Sequence, residues 1–217
     1  MHSLGQLFGR FPAHPSLLGK SGYINTAVLV LLARFDGEYH FVFQQRAAQV
    51  RQAGEICFPG GAYQPEDGSL ERTALRETFE EMGIPDERLV VLGQLDTLLA
   101  PIGATVDAFV SAADIAGLAE IVPNRNEVDA VFSVPVAYFE QNAPEEYHAV
   151  LKVHPTEVDS QTGREKILFP AAALGLPAQY ATPWGNLRHI IYVYRTDYGL
   201  IWGITAKFIV DIVGRLK

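Results

Sequence analysis

Gly60-Gly61-Ala62-Tyr63-Gln64-Pro65-Glu66-Asp67, followed by Leu75-Arg76-Glu77-Thr78-Phe79-Glu80-Glu81-Met82-Gly83-Ile84, is the most informative stretch of this chain. The glycine pair and Pro65 demand a loop. Asp67 or Ser69 can cap a helix that runs to about Met82, Gly83 provides a left-handed stop, and Pro85 bars continuation. With about 100° per residue and Glu77 at zero, Glu80 falls near 300° and Glu81 near 40°. On the same wheel Leu75, Phe79 and Met82 fall at roughly 160°, 200° and 140°, so the acids are expected on one side and an apolar core stripe on the other.

Three carboxylates at i, i+3 and i+4 repel one another. A hard divalent cation such as Mg²⁺ or Mn²⁺, which takes several oxygen ligands, relieves that repulsion. Arg76 lies one turn before Glu80 and can hold it. The glycines let backbone carbonyls come close to a metal or phosphate. The blander alternative is a solvated acidic helix face. The glycine loop, cap and stop around the hexapeptide argue for the catalytic version.

Outward from this segment, Tyr23 to Phe35 reads as a buried strand, Asp36-Gly37 as a turn and Tyr39 to Gln45 as its hairpin partner. Glu55 to Phe58 is a short extended piece. Further strands are expected over Leu89 to Leu99, Val106 to Val110, Ala130 to Val134, Tyr147 to Val153 and His189 to Tyr194, with a last helix over Gly199 to Leu216. Pro170 to Asn186 has loop composition. Strands dominate and helices are segregated, which indicates an α+β sandwich rather than a doubly wound sheet. The expected organisation is an N-terminal segment, 1–22, and a single domain, 23–217, with 147–186 as a possible insertion.

The 217 residues suit one domain, and the 48% apolar and 19% charged composition is globular. A formal charge of −8 argues against a nucleic-acid partner. Cys57 is the only cysteine, so no intrachain disulfide forms and a reducing cytoplasm fits best. Met1 to Lys20 shows no signal-peptide pattern, and Lys207 and Asp211 interrupt the apolar C-terminal stretch, so no membrane association is expected. The six histidines lack zinc-ligand spacing. Cys57, between Ile56 and Phe58, reads as a small buried hydrophobe, and Tyr198 and Trp202 as packing residues. Arg46 and Arg51 are candidates for substrate phosphates, because guanidinium groups fork onto phosphate oxygens. A homodimer is possible.

The glycine–glutamate segment resembles the Nudix box, with Gly61, Arg76, Glu77, Glu80, Glu81, Gly83 and Ile84 at matching positions. Asp67 stands where the box has its first Glu, eight rather than seven residues separate it from Arg76, and Thr78 replaces an aliphatic residue. The Asp and the extra residue resemble the coenzyme A diphosphatase branch. So does the upstream run Arg46-Ala47, then Arg51-Gln52-Ala53-Gly54-Glu55-Ile56-Cys57-Phe58-Pro59-Gly60-Gly61, although Phe43-Gln44-Gln45 departs from that branch's usual Leu-Leu-Thr. Asn126-Glu127-Val128 to Pro135 and Ile201-Trp202-Gly203-Ile204-Thr205-Ala206 are similar to further segments of the branch.

The resemblance implies a Nudix-type α/β/α sandwich with a mixed sheet and metal-dependent attack of water on a diphosphate. The metal would be held by Gly61, Glu77, Glu80 and Glu81, with Arg76 among the catalytic residues. Glu77 is the first candidate for general base, ahead of Glu127 and Glu66, and Asp67 is better read as a cap than as a ligand. For coenzyme A the implied products are 4′-phosphopantetheine and adenosine 3′,5′-bisphosphate. Another nucleoside diphosphate derivative, such as ADP-ribose or NADH, and a non-catalytic nucleotide-binding domain are the alternatives.

Overall fold

The computed structural model describes residues 17–216; the first sixteen residues of the expected N-terminal segment, and Lys217, lie outside the described residues. Strands β1 (Ile24–Phe35) and β2 (Glu38–Arg46) form the expected hairpin across the Asp36-Gly37 turn, and short strands β3 (Ile56–Cys57) and β4 (Gly60–Ala62) follow. Helix α1 (Leu70–Met82) comes next. Then come β5 (Leu89–Gln94), β6 (Leu98–Ala100), β7 (Ala104–Ala113), β8 (Val128–Pro135) and α2 (Val136–Gln141). The chain finishes with β9 (Glu145–Val153), β10 (Thr156–Val158), β11 (Glu165–Ile167), β12 (Trp184–Thr196), β13 (Gly199–Trp202) and α3 (Gly203–Arg215).

Strands β1 to β8 make one eight-stranded mixed sheet with the path β3-β2-β1-β7-β5. β1 lies parallel to β7 over ten residue pairs, Ile24↔Ala104 to Ala33↔Ala113. On its other side β1 pairs antiparallel with β2 near its C-terminal end and with β4 near its N-terminal end. Period-two alternation divides these strands between two cores. Ala27, Leu29, Leu31, Val42 and Phe109 pack with Ala74, Leu75 and Met82 of α1. Val30, Phe41, Phe43, Phe132 and Val134 pack on the opposite face with Phe139 of α2 and Phe208 and Ile209 of α3. The result is the expected α/β/α sandwich. A separate three-stranded antiparallel sheet has the order β13-β12-β9; the stretch 147–186 holds most of β9, the small β10–β11 hairpin and only the first residues of β12, while the rest of β12 and β13 follow it.

Several strands extend beyond their expected bounds, and three stretches differ in kind. Leu89 to Leu99 is two strands, because the chain leaves β7 after Gln94 and rejoins it at Leu98. Gly199 to Leu216 begins as β13 paired with β12, and the helix starts only at Gly203. The stretch 170–186, expected as a loop, ends in the first residues of the long strand β12.

Helix α1 has the expected ends: the Ser69 hydroxyl accepts from the Arg72 N–H, and Gly83 turns left-handed at φ 69°. Its buried side is rotated from expectation. Phe79 is 56% exposed, whereas Thr73, Ala74, Thr78 and Glu81 are buried beside Leu75 and Met82. The buried arc therefore runs from Thr73, at about 320° on the wheel, round to Leu75, at about 160°, and it contains Glu77 and Glu81. A wheel marks apolarity, and here polar groups occupy the part of the helix nearest the sheet.

Substitution separates the two sides. Leu75→Ala is expected to cost roughly 2–5 kcal/mol of unfolding free energy, and Phe79→Ala no more than about 0.5 kcal/mol, measured by urea denaturation. Comparable losses in both variants would contradict this orientation of α1.

Candidate active site

The close contact between α1 and β4 is made where the glycines remove side chains. A Cβ at Gly61 would lie 2.4 Å from Glu77 Oε1, and one at Gly60 would lie 2.3 Å from the Ala27 carbonyl oxygen. Into this gap α1 inserts Glu77 and Glu81. The Gly60 N–H donates to Glu81 Oε2 at 2.9 Å, and Gln44 Nε2 donates to the same oxygen at 2.8 Å. Arg46 approaches Glu81 Oε1 at 4.0 Å. Burial pushes the Glu81 carboxyl up to about 7 despite those donors, and burial likewise raises Glu77, partly offset by Arg76.

Arg76 organises the other side of the cluster. One of its terminal nitrogens contacts Glu77 Oε1 at 2.8 Å and Glu80 Oε2 at 2.9 Å. Its Nε donates to Asp67 Oδ1 at 2.7 Å, and its second terminal nitrogen to the Ala62 carbonyl at 3.2 Å. Asp67 also accepts from the Thr73 hydroxyl at 2.7 Å and the Gln64 N–H at 3.0 Å. The Arg76 guanidinium is the main cause that holds the Asp67 carboxyl well below the usual carboxylate range. Asp67 thus caps only the single turn Pro65–Asp67; α1 is capped by Ser69, and Asp67 serves as the anchor of Arg76.

The remaining candidates are spread around this centre. Glu127 is near enough to Glu77 to raise its pKa, and it accepts from Asn124 Nδ2 at 3.1 Å. Glu66 is exposed on the Pro65–Asp67 turn. Arg46 borders the cluster, with its Nε donating to the Arg51 carbonyl at 2.9 Å, whereas Arg51 itself is exposed on the adjoining loop. The Cys57 thiol is half-buried beside Gln44 and is pushed up to about 11, the opposite of what a nucleophile needs. Tyr198 stacks on Phe132 at 4.2 Å, on the α3 side of the sheet. Two concavities of ≈360 and ≈320 Å³ have none of the clustered carboxylates in their lining; the first includes His40, Tyr138, Arg195 and Tyr198 and the second Lys20, Tyr63 and Ser69.

Gln44 is the residue that sequence reasoning missed. It is fully buried on the α1 side of β2, and its Oε1 has no hydrogen-bond partner. The available signal was an amide beside Val42 and Phe43 in an otherwise apolar strand, opposite a helix carrying acids.

The donor set fits a hard divalent cation. Glu77 and Glu81 are carboxylates whose desolvation is only partly offset by neighbouring positive charge, and the Gly61 cradle admits nothing bulkier than backbone beside Glu77. Glu80 is drawn aside by Arg76, and among the described residues no three ligating side chains already stand together in a cation-binding group.

The chain matches the NUDIX domain model over residues 24–155. It belongs to the Nudix family. "Nudix hydrolase 3" of Caenorhabditis elegans is 37% identical over 57% of this chain and 52% of its own length. An uncharacterised Nudix hydrolase, NudL, of Pectobacterium atrosepticum is 30% identical over 76% of this chain and 69% of that one. A mitochondrial coenzyme A diphosphatase of Homo sapiens is 35% identical over 57% of this chain and 53% of its own length. The match therefore spans about half the length of the first and third of these relatives. Among the described residues of this Nudix chain no helix is long and apolar enough to cross a membrane.

Two outcomes follow for the cluster. Glu81 titrates near 7 in the folded chain against 4.5 for an ordinary glutamate, so the folded state holds an extra proton between those values. Metal-free protein is then most stable below about pH 4.5 with respect to this group, and that contribution is lost as pH rises through 7, at up to about 1.4 kcal/mol per pH unit. The difference in stability between wild type and Glu81→Gln, followed by thermal melts from pH 5 to 8, should carry that slope; a difference independent of pH would contradict it. The glycines should also separate: Gly60→Ala meets backbone and should lower the melting temperature strongly, whereas Gly61→Ala meets only the movable end of Glu77 and should keep the fold while weakening Mn²⁺ binding.

Proposed function

We propose that the chain is a metal-dependent diphosphatase that hydrolyses coenzyme A or a coenzyme A derivative to 4′-phosphopantetheine and adenosine 3′,5′-bisphosphate. The observation that carries the reading is the packing of Glu77 and Glu81 against the Gly60-Gly61 backbone, with Glu80 held one turn away by Arg76. Glu77, Glu80, Glu81 and the Gly61 carbonyl would hold Mg²⁺ or Mn²⁺. When bound, such an ion neutralises diphosphate charge and lowers the pKa of water.

The side chains then have separate tasks. Glu77 takes the proton of the attacking water, and Glu127 stands near enough to tune its basicity. Arg76 orients Glu77 and Glu80 through its contacts to both, and Asp67 keeps the guanidinium from turning away. Gln44 and the Gly60 N–H orient Glu81. Arg46, at the end of β2, and Arg51, on the loop between β2 and β3, contact the substrate phosphates, where two guanidinium groups add positive charge to an acidic chain. The coenzyme A reading draws on the Arg46–Gly61 run and on the coenzyme A diphosphatases among the relatives, including a peroxisomal one of Mus musculus at 37% identity over 52% of this chain. Residues 23–217 form one functional unit in this reading, with 147–186 as its insertion, and the lone Cys57 suits a reducing compartment such as the cytoplasm.

A hydrolysis assay with Mg²⁺ or Mn²⁺, comparing coenzyme A, acetyl-coenzyme A, ADP-ribose and NADH and identifying products by mass, tests the proposal. Coenzyme A or its acetyl form is expected to give the highest kcat/KM. A higher value for ADP-ribose or NADH would overturn the substrate, and stoichiometric binding without turnover would overturn the activity. Glu77→Gln is expected to lower kcat roughly 100- to 10,000-fold without changing the melting temperature by more than a few degrees.

A further inference from the structure

The three-stranded sheet ends on β9, and among the described residues no strand pairs with its outer edge. Residues paired across an antiparallel ladder share a face. Tyr147, Ala149, Leu151 and Val153 therefore lie with Ile191, His189, Leu187 and Trp184 on one face. That face is largely apolar, yet Tyr147 is 50% exposed, Val153 53% and Leu187 66%. Glu146, His148 and Lys152 lie on the other. A nine-residue edge with unpaired N–H and C=O groups and apolar neighbours is a template for another strand.

The charges along β9 select its occupant. Two copies of one strand can pair antiparallel about a two-fold axis normal to the sheet, and the axis then passes through a single residue of each copy. Centred on His148, the pairing sets Glu146 against Val150. Centred on Val150, it sets Lys152 against His148. Centred on Ala149, it sets Glu146 of each copy directly against Lys152 of the other, Tyr147 against Leu151, and His148 against Val150. Facing side chains in such a ladder are about 5 Å apart, within reach of an ion pair. Of the three registers that pair seven residues or more, the Ala149 register alone sets a carboxylate against an ammonium group, and it does so twice while joining Tyr147 and Leu151 of the two copies into one apolar strip.

We infer that β9 docks on β9 of a second copy of this chain, centred on Ala149, to give a continuous sheet across a two-fold dimer. The occupant is a copy of the chain because the edge is complementary to itself. The pairing closes on itself, so the edge is consumed and no open polymer grows. This inference does not depend on the chemistry of the glutamate cluster.

Sedimentation velocity on the full chain at tens of micromolar tests it. Wild type is expected at twice the chain mass. Lys152→Glu and Glu146→Lys each set like charges together at two places and are expected to halve the sedimenting mass. The combination of Glu146→Lys with Lys152→Glu restores opposite charges and should restore the dimer. A monomeric wild type, a dimer unaffected by either single substitution, or a double variant that stays monomeric with a native circular dichroism spectrum would overturn the interface. Without any variant, amide exchange in residues 145–153 of wild type should slow as concentration rises from sub-micromolar to tens of micromolar; exchange independent of concentration would also overturn it.

Discussion

The Glu81 carboxylate against the Gly60 N–H is the contact through which helix and sheet meet at the site. A carboxylate so nearly out of water needs donors, and the helix can bring it there only because positions 60 and 61 have no side chains in the way. The backbone N–H and the Gln44 amide share one of its oxygens, leaving the other toward Arg46. From that point the rest of the arrangement follows. Seating Glu81 sets the rotation of α1, which carries Glu77 to Gly61 and leaves Phe79 in solvent.

Arg76 plays the complementary part on the outer side. Its guanidinium joins the helix, through Glu77 and Glu80, to the preceding loop, through Asp67 and the Ala62 carbonyl. Asp67 is tied in turn to Thr73 and the Gln64 N–H, so loop and helix form one braced unit. One terminal nitrogen of Arg76 stands between Glu77 and Glu80, so the guanidinium fixes the two carboxylates relative to each other and to the loop.

Much of this was legible in the chain before folding. The glycine pair, the Ser69 cap, the Gly83 stop and the spacing of Arg76, Glu77, Glu80 and Glu81 were readable because each depends on local rules. The alternation in β1, β2 and β7 disclosed a two-sided sheet. The wheel failed at Phe79 and Glu81, since it counts apolar residues and cannot see that a glycine strand approaches from the sheet. Asp67 looked like a cap because its neighbours in sequence suggest one, whereas its decisive partner is nine residues away. Gln44 gave little local sign, because its meaning lies in Glu81, far along the chain. The β13 start of the last element was hidden for a similar reason: pairing with β12 decides it, not composition.

The parallel pairing of β1 with β7 has a further consequence, for the order of events in time. Its partners lie about eighty residues apart, Ile24 with Ala104 at one end and Ala33 with Ala113 at the other. Contacts of that span close slowly, because a long stretch of chain must lose its freedom before the pairing returns anything. The glycine loop and α1 both lie inside that closing loop. On the ribosome, then, the glutamates are synthesised well before β7 exists to complete the sheet beneath them. The partners of Glu81, at positions 44, 46 and 60, precede it in the chain, so the local seat can form early, whereas the sheet on which α1 packs is completed only after residue 113 has emerged.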